Sequence, residues 1–200
     1  YYVCAGDAEM NSLWFGWIEA SHHIATLCAI WPMTLLSRRL GKRFVCLLAP
    51  AFLILGSLAN FACFVPGMPW LLLIPRFLVA MGWAGLFVLV PSMIADIVDY
   101  DEQQTGTRRE GMFGAVHFWV IKLALAFALL ATGFIVEATG FNVDLGTNQP
   151  EGTMNNIILL LGLVPTIGAA VAGYCIYRYP LTEKTMYAIR EELEQRRGVS

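Results

Sequence analysis

Long apolar runs separated by short clusters of charge give this 200-residue chain its pattern. Five runs are long enough to cross a hydrocarbon core of about 30 Å, which takes about 20 helical residues. They lie near Ser12–Leu36, Phe44–Val65, Trp70–Ala95, Met112–Val136 and Asn156–Tyr177. Their apolar positions are continuous rather than alternating, which predicts helices and not the strands of a barrel. Pro32, Pro50, Pro75, Pro91 and Pro165 fall inside them, where neighbouring helices can satisfy the freed carbonyls. After the fifth run Pro180 ends the span and Thr182 can cap a new helix. Met186, Ile189 and Leu193 then form a narrow apolar stripe among Glu183, Lys184, Arg190, Glu191, Glu192, Glu194 and Arg197. That spacing predicts a short amphipathic helix lying against the cytoplasmic surface.

The basic residues orient the spans. Arg38, Arg39, Lys42 and Arg43 lie between the first and second runs, and Arg108 and Arg109 between the third and fourth. Arg178, Lys184, Arg190, Arg196 and Arg197 follow the fifth, whereas Asp7, Glu9, Glu137, Asp144 and Glu151 mark the other side without any Lys or Arg. Lys and Arg accumulate in cytoplasmic loops, so the C-terminus is expected inside. Five spans then put residue 1 outside. Tyr1-Tyr2-Val3 reads as the tail of an earlier apolar helix, so a longer polypeptide with a further span upstream is expected.

Composition agrees with lipid as solvent. The chain is 58% hydrophobic and 14% charged, against about 25% charged residues in an average soluble domain. A formal net charge of −2 gives no reason to expect a nucleic-acid partner. The five cysteines (Cys4, Cys28, Cys46, Cys63 and Cys175) form no CxxC pair and read as small apolar side chains.

Charge inside the runs is the candidate chemistry, because a Lys, Arg or Asp at a helix centre costs roughly 2.5–3.5 kcal/mol on insertion scales. Lys122 lies well inside the fourth run, too deep to snorkel, and is expected to line a water-filled central cavity. His117 stands ~140° away around the same helix. Arg76 is expected to snorkel outward or to pair with an acid such as Glu137. Glu19, His22 and His23 share one face of the first run as a polar contact toward the bundle interior. They lack the H-E-x-x-H order of a metalloprotease, and any metal would need ligands from elsewhere. Asp96, Asp99, Asp101, Glu102, Arg108, Arg109 and Glu110 crowd one short inner loop and its flanks. Asp96 and Asp99 share a helix face and are expected to meet Arg108 or the Arg38–Arg43 cluster as an ionic closure.

ADIVDY at Ala95–Tyr100, TGTRREG at Thr105–Gly111 and then Lys122 resemble the glycoside–pentoside–hexuronide:cation symporters, the melibiose-permease-like branch of the major facilitator superfamily. SRRLGKR at Ser37–Arg43 and YPLTEK at Tyr179–Lys184 are similar to that family's helix 8–9 loop and its post-helix-12 signature. The resemblance covers nearly the whole chain and implies the C-terminal half of a major-facilitator-type bundle. The implied fold is an all-α polytopic membrane protein with five complete transmembrane helices, 8–12, the end of a sixth, and a cytoplasmic amphipathic helix. Residues 1–180 would form the membrane half and 181–200 the tail.

The resemblance implies cation-coupled symport of a sugar or glycoside in a bacterial inner membrane, with a six-helix N-terminal half as partner. The coupling ion, Na⁺ or H⁺, is the expected co-substrate, with no cofactor or resident metal and no enzymatic activity. Lys122, His117 and Phe87 match sugar- and cation-cavity positions, to which Glu19 is added. Asp96, Asp99 and Arg108 match the cytoplasmic charged network, joined by Glu102 and Arg109. His117 and Phe87 differ from the melibiose type, so substrate identity does not carry over. Three competing readings remain: a lysolipid or other amphiphile as cargo, a non-transporting sensor or scaffold, and a metal enzyme built on Glu19, His22 and His23.

Overall fold

The computed structural model describes residues 8–142, 145, 149–150 and 152–198. The expected tail of an upstream helix at Tyr1–Val3, together with Cys4, Asp7, Asp144 and Glu151, lies outside the described residues. The fold is all-helical: α1 (Ala8–Leu40), α2 (Lys42–Cys63), a 3-10 turn (Pro69–Leu72), α3 (Leu73–Thr105), α4 (Glu110–Ala138), α5 (Thr153–Arg178) and α6 (Glu183–Arg196). Each expected run became a helix. Among the described residues, four are long and apolar enough to cross a membrane: α2, the 3-10 turn with α3, α4 and α5. The fifth expected span, α1, has the length, at 33 residues. Glu19, Ser21, His22, His23 and Thr26 dilute its apolar content.

The larger correction concerns the third span. The charged segment expected as a loop is helical: α3 runs ten residues past Ala95 and ends at Thr105, where the Gly106 N–H bonds to the Glu102 carbonyl at 2.8 Å. Asp96, Asp99, Asp101 and Glu102 therefore ride on a helical extension, and the loop shrinks to Gly106–Arg109. Helical spacing lets a row of carboxylates meet cations at every turn, which offsets the weak helix propensity of Asp.

The core lies where α1, α2 and α3 cross. Ala29 and Met33, Val45 and Cys46, and Ala84, Leu89 and Met93 form one buried cluster. Small residues set the closeness of α2 and α3, as expected where backbones must approach without a hydrophobic driving force. A Cβ on Gly82 would sit 2.6 Å from Leu53 Cγ and 2.9 Å from the Ala49 carbonyl oxygen. α1 turns into α2 through a single residue, Gly41, whose φ of 90° favours glycine. That turn, the α3–α4 loop and the α5–α6 junction all lie at one end of the bundle, joined there by ion pairs. α4 stands apart: none of its residues is buried. α6, capped by Thr182 accepting from the Thr185 N–H, buries Met186, Ile189 and Leu193 against the chain itself.

Gly82→Val is expected to force α2 and α3 apart and to cost about 1–3 kcal/mol, the usual range for overpacking. Purified full-length protein carrying it should melt at a lower temperature in detergent than the parent.

Candidate functional site

Among the described residues, most of the ion pairs lie at the basic end. Asp96 is buried, and its carboxylate accepts from Lys42 Nζ at 2.9 and 3.0 Å and from Arg190 at 2.6 Å. One helical turn further, Asp99 accepts from Arg108 at 3.1 Å and from Arg190 Nε at 3.4 Å. Glu102 accepts from Arg108 at 3.0 Å and from Arg197 at 2.6 Å on both oxygens. Arg109 pairs with Asp101, its Nε donating at 2.9 Å, and Arg108 Nε reaches Glu110 at 3.1 Å.

The cluster is built by sequence-local rules. Lys42 opens α2 directly after the Gly41 turn, which aims its ammonium along α3. The expected meeting of Asp96 and Asp99 with the basic turn and Arg108 is present. Of the four basic residues in that turn, Lys42 alone reaches a carboxylate among the described residues; Arg43 donates to the Tyr177 carbonyl and lies 5.9 Å from that ring's centroid. Sequence reasoning missed Arg190, Arg196 and Arg197 as partners. Arg190 and Arg197 lie seven residues apart, on one face of α6 beside the apolar stripe, and that spacing was the available signal.

Protonation follows from this geometry. Hydrogen bonds from Arg108 to Glu102, Asp99 and Glu110 push its pKa above the ordinary arginine value, and the Asp101 carboxylate does the same for Arg109. Tyr179, at the end of α5, donates to the Met93 carbonyl at 3.3 Å. Burial pushes its hydroxyl up to about 12, with the Asp96 charge adding to the effect, so Tyr179 stays a neutral donor at every physiological pH. A cavity of about 470 Å³ opens beside these groups, bordered by Lys42, Asp96, Tyr179, Met186 and Arg190.

A second cluster lies near the opposite end of α3. Arg76 pairs with Glu19 at 2.9 Å, and His22 Nδ1 donates to the Arg76 carbonyl at 3.2 Å. The partner of Arg76 is thus Glu19 of α1, not Glu137, because α1 packs along α3 whereas α4 is hardly in contact with it. A larger cavity, about 720 Å³, runs beside this pair among α1, α2, α3 and α5, with Trp14, Asn60, Arg76, Trp83 and Pro165 in its wall. Among the described residues no three His, Cys, Asp or Glu side chains are placed to hold a metal; Glu19 and His22 are engaged with Arg76 instead.

Among the described residues no hydrogen bond, ion pair or ring contact joins the four expected cavity residues to one another. Phe87 is exposed on α3, its ring 5.5 Å from Trp83. His117 lies on α4 with its ring 5.5 Å from Phe118. Lys122 is exposed on α4, and no ion pair or hydrogen bond to it is present among the described residues. None of Glu19, Phe87, His117 and Lys122 lines either cavity.

Comparison with known proteins adds an independent line. The chain is 27% identical to an uncharacterized symporter, sll1374, of Synechocystis sp. over 98% of this chain and 36% of that protein. It is 27% identical to the putative glycoside/cation symporter YagG of Escherichia coli over 53% of this chain and 23% of that protein. It is 26% identical to the isoprimeverose transporter of Lactiplantibacillus pentosus over 95% of this chain and 38% of that protein. The chain thus spans no more than about two fifths of the length of these relatives. No solved structure is a significant match.

A Glu19→Gln change would leave the half-exposed Arg76 cation without its counter-charge and is expected to cost about 0.5–1 kcal/mol, while Glu19→Gln with Arg76→Gln together should recover most of that loss. A double-mutant cycle of melting temperatures on the full-length protein checks it.

The sequence pattern of the family described as MFS/sugar transport protein matches residues 2–183, and with the helical architecture and the charged inner end of α3 this places the chain in that family of membrane transporters, which are not enzymes.

Proposed function

We propose that the full-length protein is a cation-coupled symporter of a sugar or glycoside that works by alternating access in a bacterial inner membrane, its C-terminus cytoplasmic. The observation that carries this reading is the Asp96 cluster. A buried carboxylate bridged to Lys42 and Arg190 joins three helices at one end through polar contacts. Transporters built as two rocking halves need such reversible closures on each side of a central site. The concentration of Lys and Arg at the same end supports its cytoplasmic placement.

The solute site belongs to the exposed face. Phe87, His117 and Lys122 lie on helices with bare faces, which suits side chains that meet a second half of the polypeptide across a central cavity. An ammonium at the depth of Lys122 needs a carboxylate, carbonyls or water facing it. In this reading the remainder of the protein and the solute supply them. Glu19 stabilises Arg76 and shapes the outer end rather than contacting the solute. Substrate and cation shift the carrier between states only through their different affinities for each.

Uptake by the full-length protein across a panel of glycosides, with Na⁺ and pH gradients imposed separately, tests the reading. At least one solute should accumulate in response to one gradient, and loss of all gradient dependence would remove symport. In the same assay Lys122→Ala should lower uptake by about tenfold or more without lowering the amount of protein in the membrane.

A further inference from the structure

The inner cluster draws on a helix that alternating access does not by itself require. α6 follows the last membrane helix, yet its Arg190 bridges Asp96 and Asp99 while Arg197, two turns on, closes on Glu102. Between them Arg196 donates to the Gln103 carbonyl at 3.1 Å, and the Gln103 amide donates to Glu192. α6 therefore grips the inner turns of α3 from Asp96 to Gln103 at successive points, with Met186, Ile189 and Leu193 buried beneath. A helix held only by its apolar stripe would need none of these polar contacts.

The carboxylates are also shared. Asp99 is held by both Arg108 and Arg190, and Glu102 by both Arg108 and Arg197. The Arg190 side chain is 44% exposed, and half-exposed ion pairs are individually weak. Two arginine sources, one on the α3–α4 loop and one on α6, thus share the same acids.

We propose that α6 is a working part of the inner closure, with Arg190 and Arg197 as positioning residues. They hold α6 across the inner turns of α3 through Asp96, Asp99 and Glu102, sharing Asp96 with Lys42 of α2, and they leave these carboxylates when the inner side opens. The inference rests on the alternating-access reading above and extends its machinery to the C-terminal helix. Cys46 provides a native reporter. It is fully buried one turn from Lys42, in the cluster against which Tyr179 packs. Departure of α6 would draw away the α5–α6 junction that carries Tyr179 and uncover this thiol from the cytoplasmic side.

The experiment uses full-length protein in inside-out membrane vesicles, with Cys46 as the sole cysteine and a membrane-impermeant maleimide as probe. Arg190→Gln and Arg197→Gln should each raise the labelling rate of Cys46 by about threefold or more, the population shift expected from losing one such ion pair. Arg190→Lys should return it toward the parent. Less than threefold change in both glutamine variants overturns the proposal, and so does equal labelling of Arg190→Lys and Arg190→Gln, which would assign the effect to packing rather than charge. Arg197→Gln, near the exposed end of α6, serves where Arg190→Gln fails to accumulate. Labelling reads closure and not flux, so a protein without gradient-driven uptake would remove the symport reading and leave this result standing.

Discussion

A carboxylate taken out of water loses several kcal/mol of hydration, and partners recover it only when their geometry is good and the remaining lone pairs are satisfied. Asp96 meets that condition with cations from two sequence-distant elements, Lys42 at the start of α2 and Arg190 in α6. Neither cation would be held there without the backbone that presents it. The single-residue turn at Gly41 brings Lys42 in, and the buried stripe of α6 brings Arg190 in. The position of α6, the continuation of α3 past Ala95 and the course of the α1–α2 turn therefore meet at one buried charge. Glu183 of α6 closes the arrangement from the other side, its carboxylate oxygen lying 3.3 Å from where a Cβ on Gly41 would sit.

The helices and the polarity of their ends were legible in the sequence because lipid imposes a coarse rule that apolar runs and basic clusters obey residue by residue. Thr182 as a cap and Met186, Ile189 and Leu193 as a stripe were legible for the same local reasons. Asp96, Asp99 and Arg108 could be read as one ionic group because they lie within four turns of each other. The partnership of Arg190 and Arg197 with those acids could not be read so directly, since it depends on how α6 folds back across about 90 residues of intervening chain. The helical state of Asp101–Thr105, beyond the helix face of Asp96 and Asp99, was hidden differently. Its propensity is poor, and ion pairs from Arg108, Arg109 and Arg197 help make the helix the better state. Arg76 illustrates a third kind of gap: Glu19 and Glu137 are equivalent candidates by charge, and helix neighbourhood alone decides between them.

The contrast between α3 and α4 sorts the charges of this chain into two kinds. Arg76, Asp96, Asp99 and Glu102 on α3 are all neutralised from within the described residues. Lys122 on α4 is not, and α4 buries no side chain at all. A charge compensated where it stands belongs to the contacts between this chain's own helices. A charge left open on a bare apolar helix is available to something that comes and goes, or to a part of the polypeptide beyond the stretch described.

Helix geometry ties the two clusters of α3 together. Arg76 and Asp96 are about 30 Å apart along the axis, close to the thickness of a hydrocarbon core, and about 200° apart around it. Trp83 and Phe87 share the Arg76 face, whereas Asp96 points to the opposite one. A rigid tilt of α3 about its middle moves its two ends in opposite directions. The tilt that draws Arg76 away from Glu19 at one end therefore draws Asp96 away from Lys42 at the other. A straight α3 would release both clusters together and could not hold one end shut while the other opens. Pro91 lies between them, and proline is where a helix bends sharply without breaking the rest of its ladder. Under the proposed alternating access, independent movement of the two ends requires a bend in this helix, and Pro91 lies five positions before Asp96.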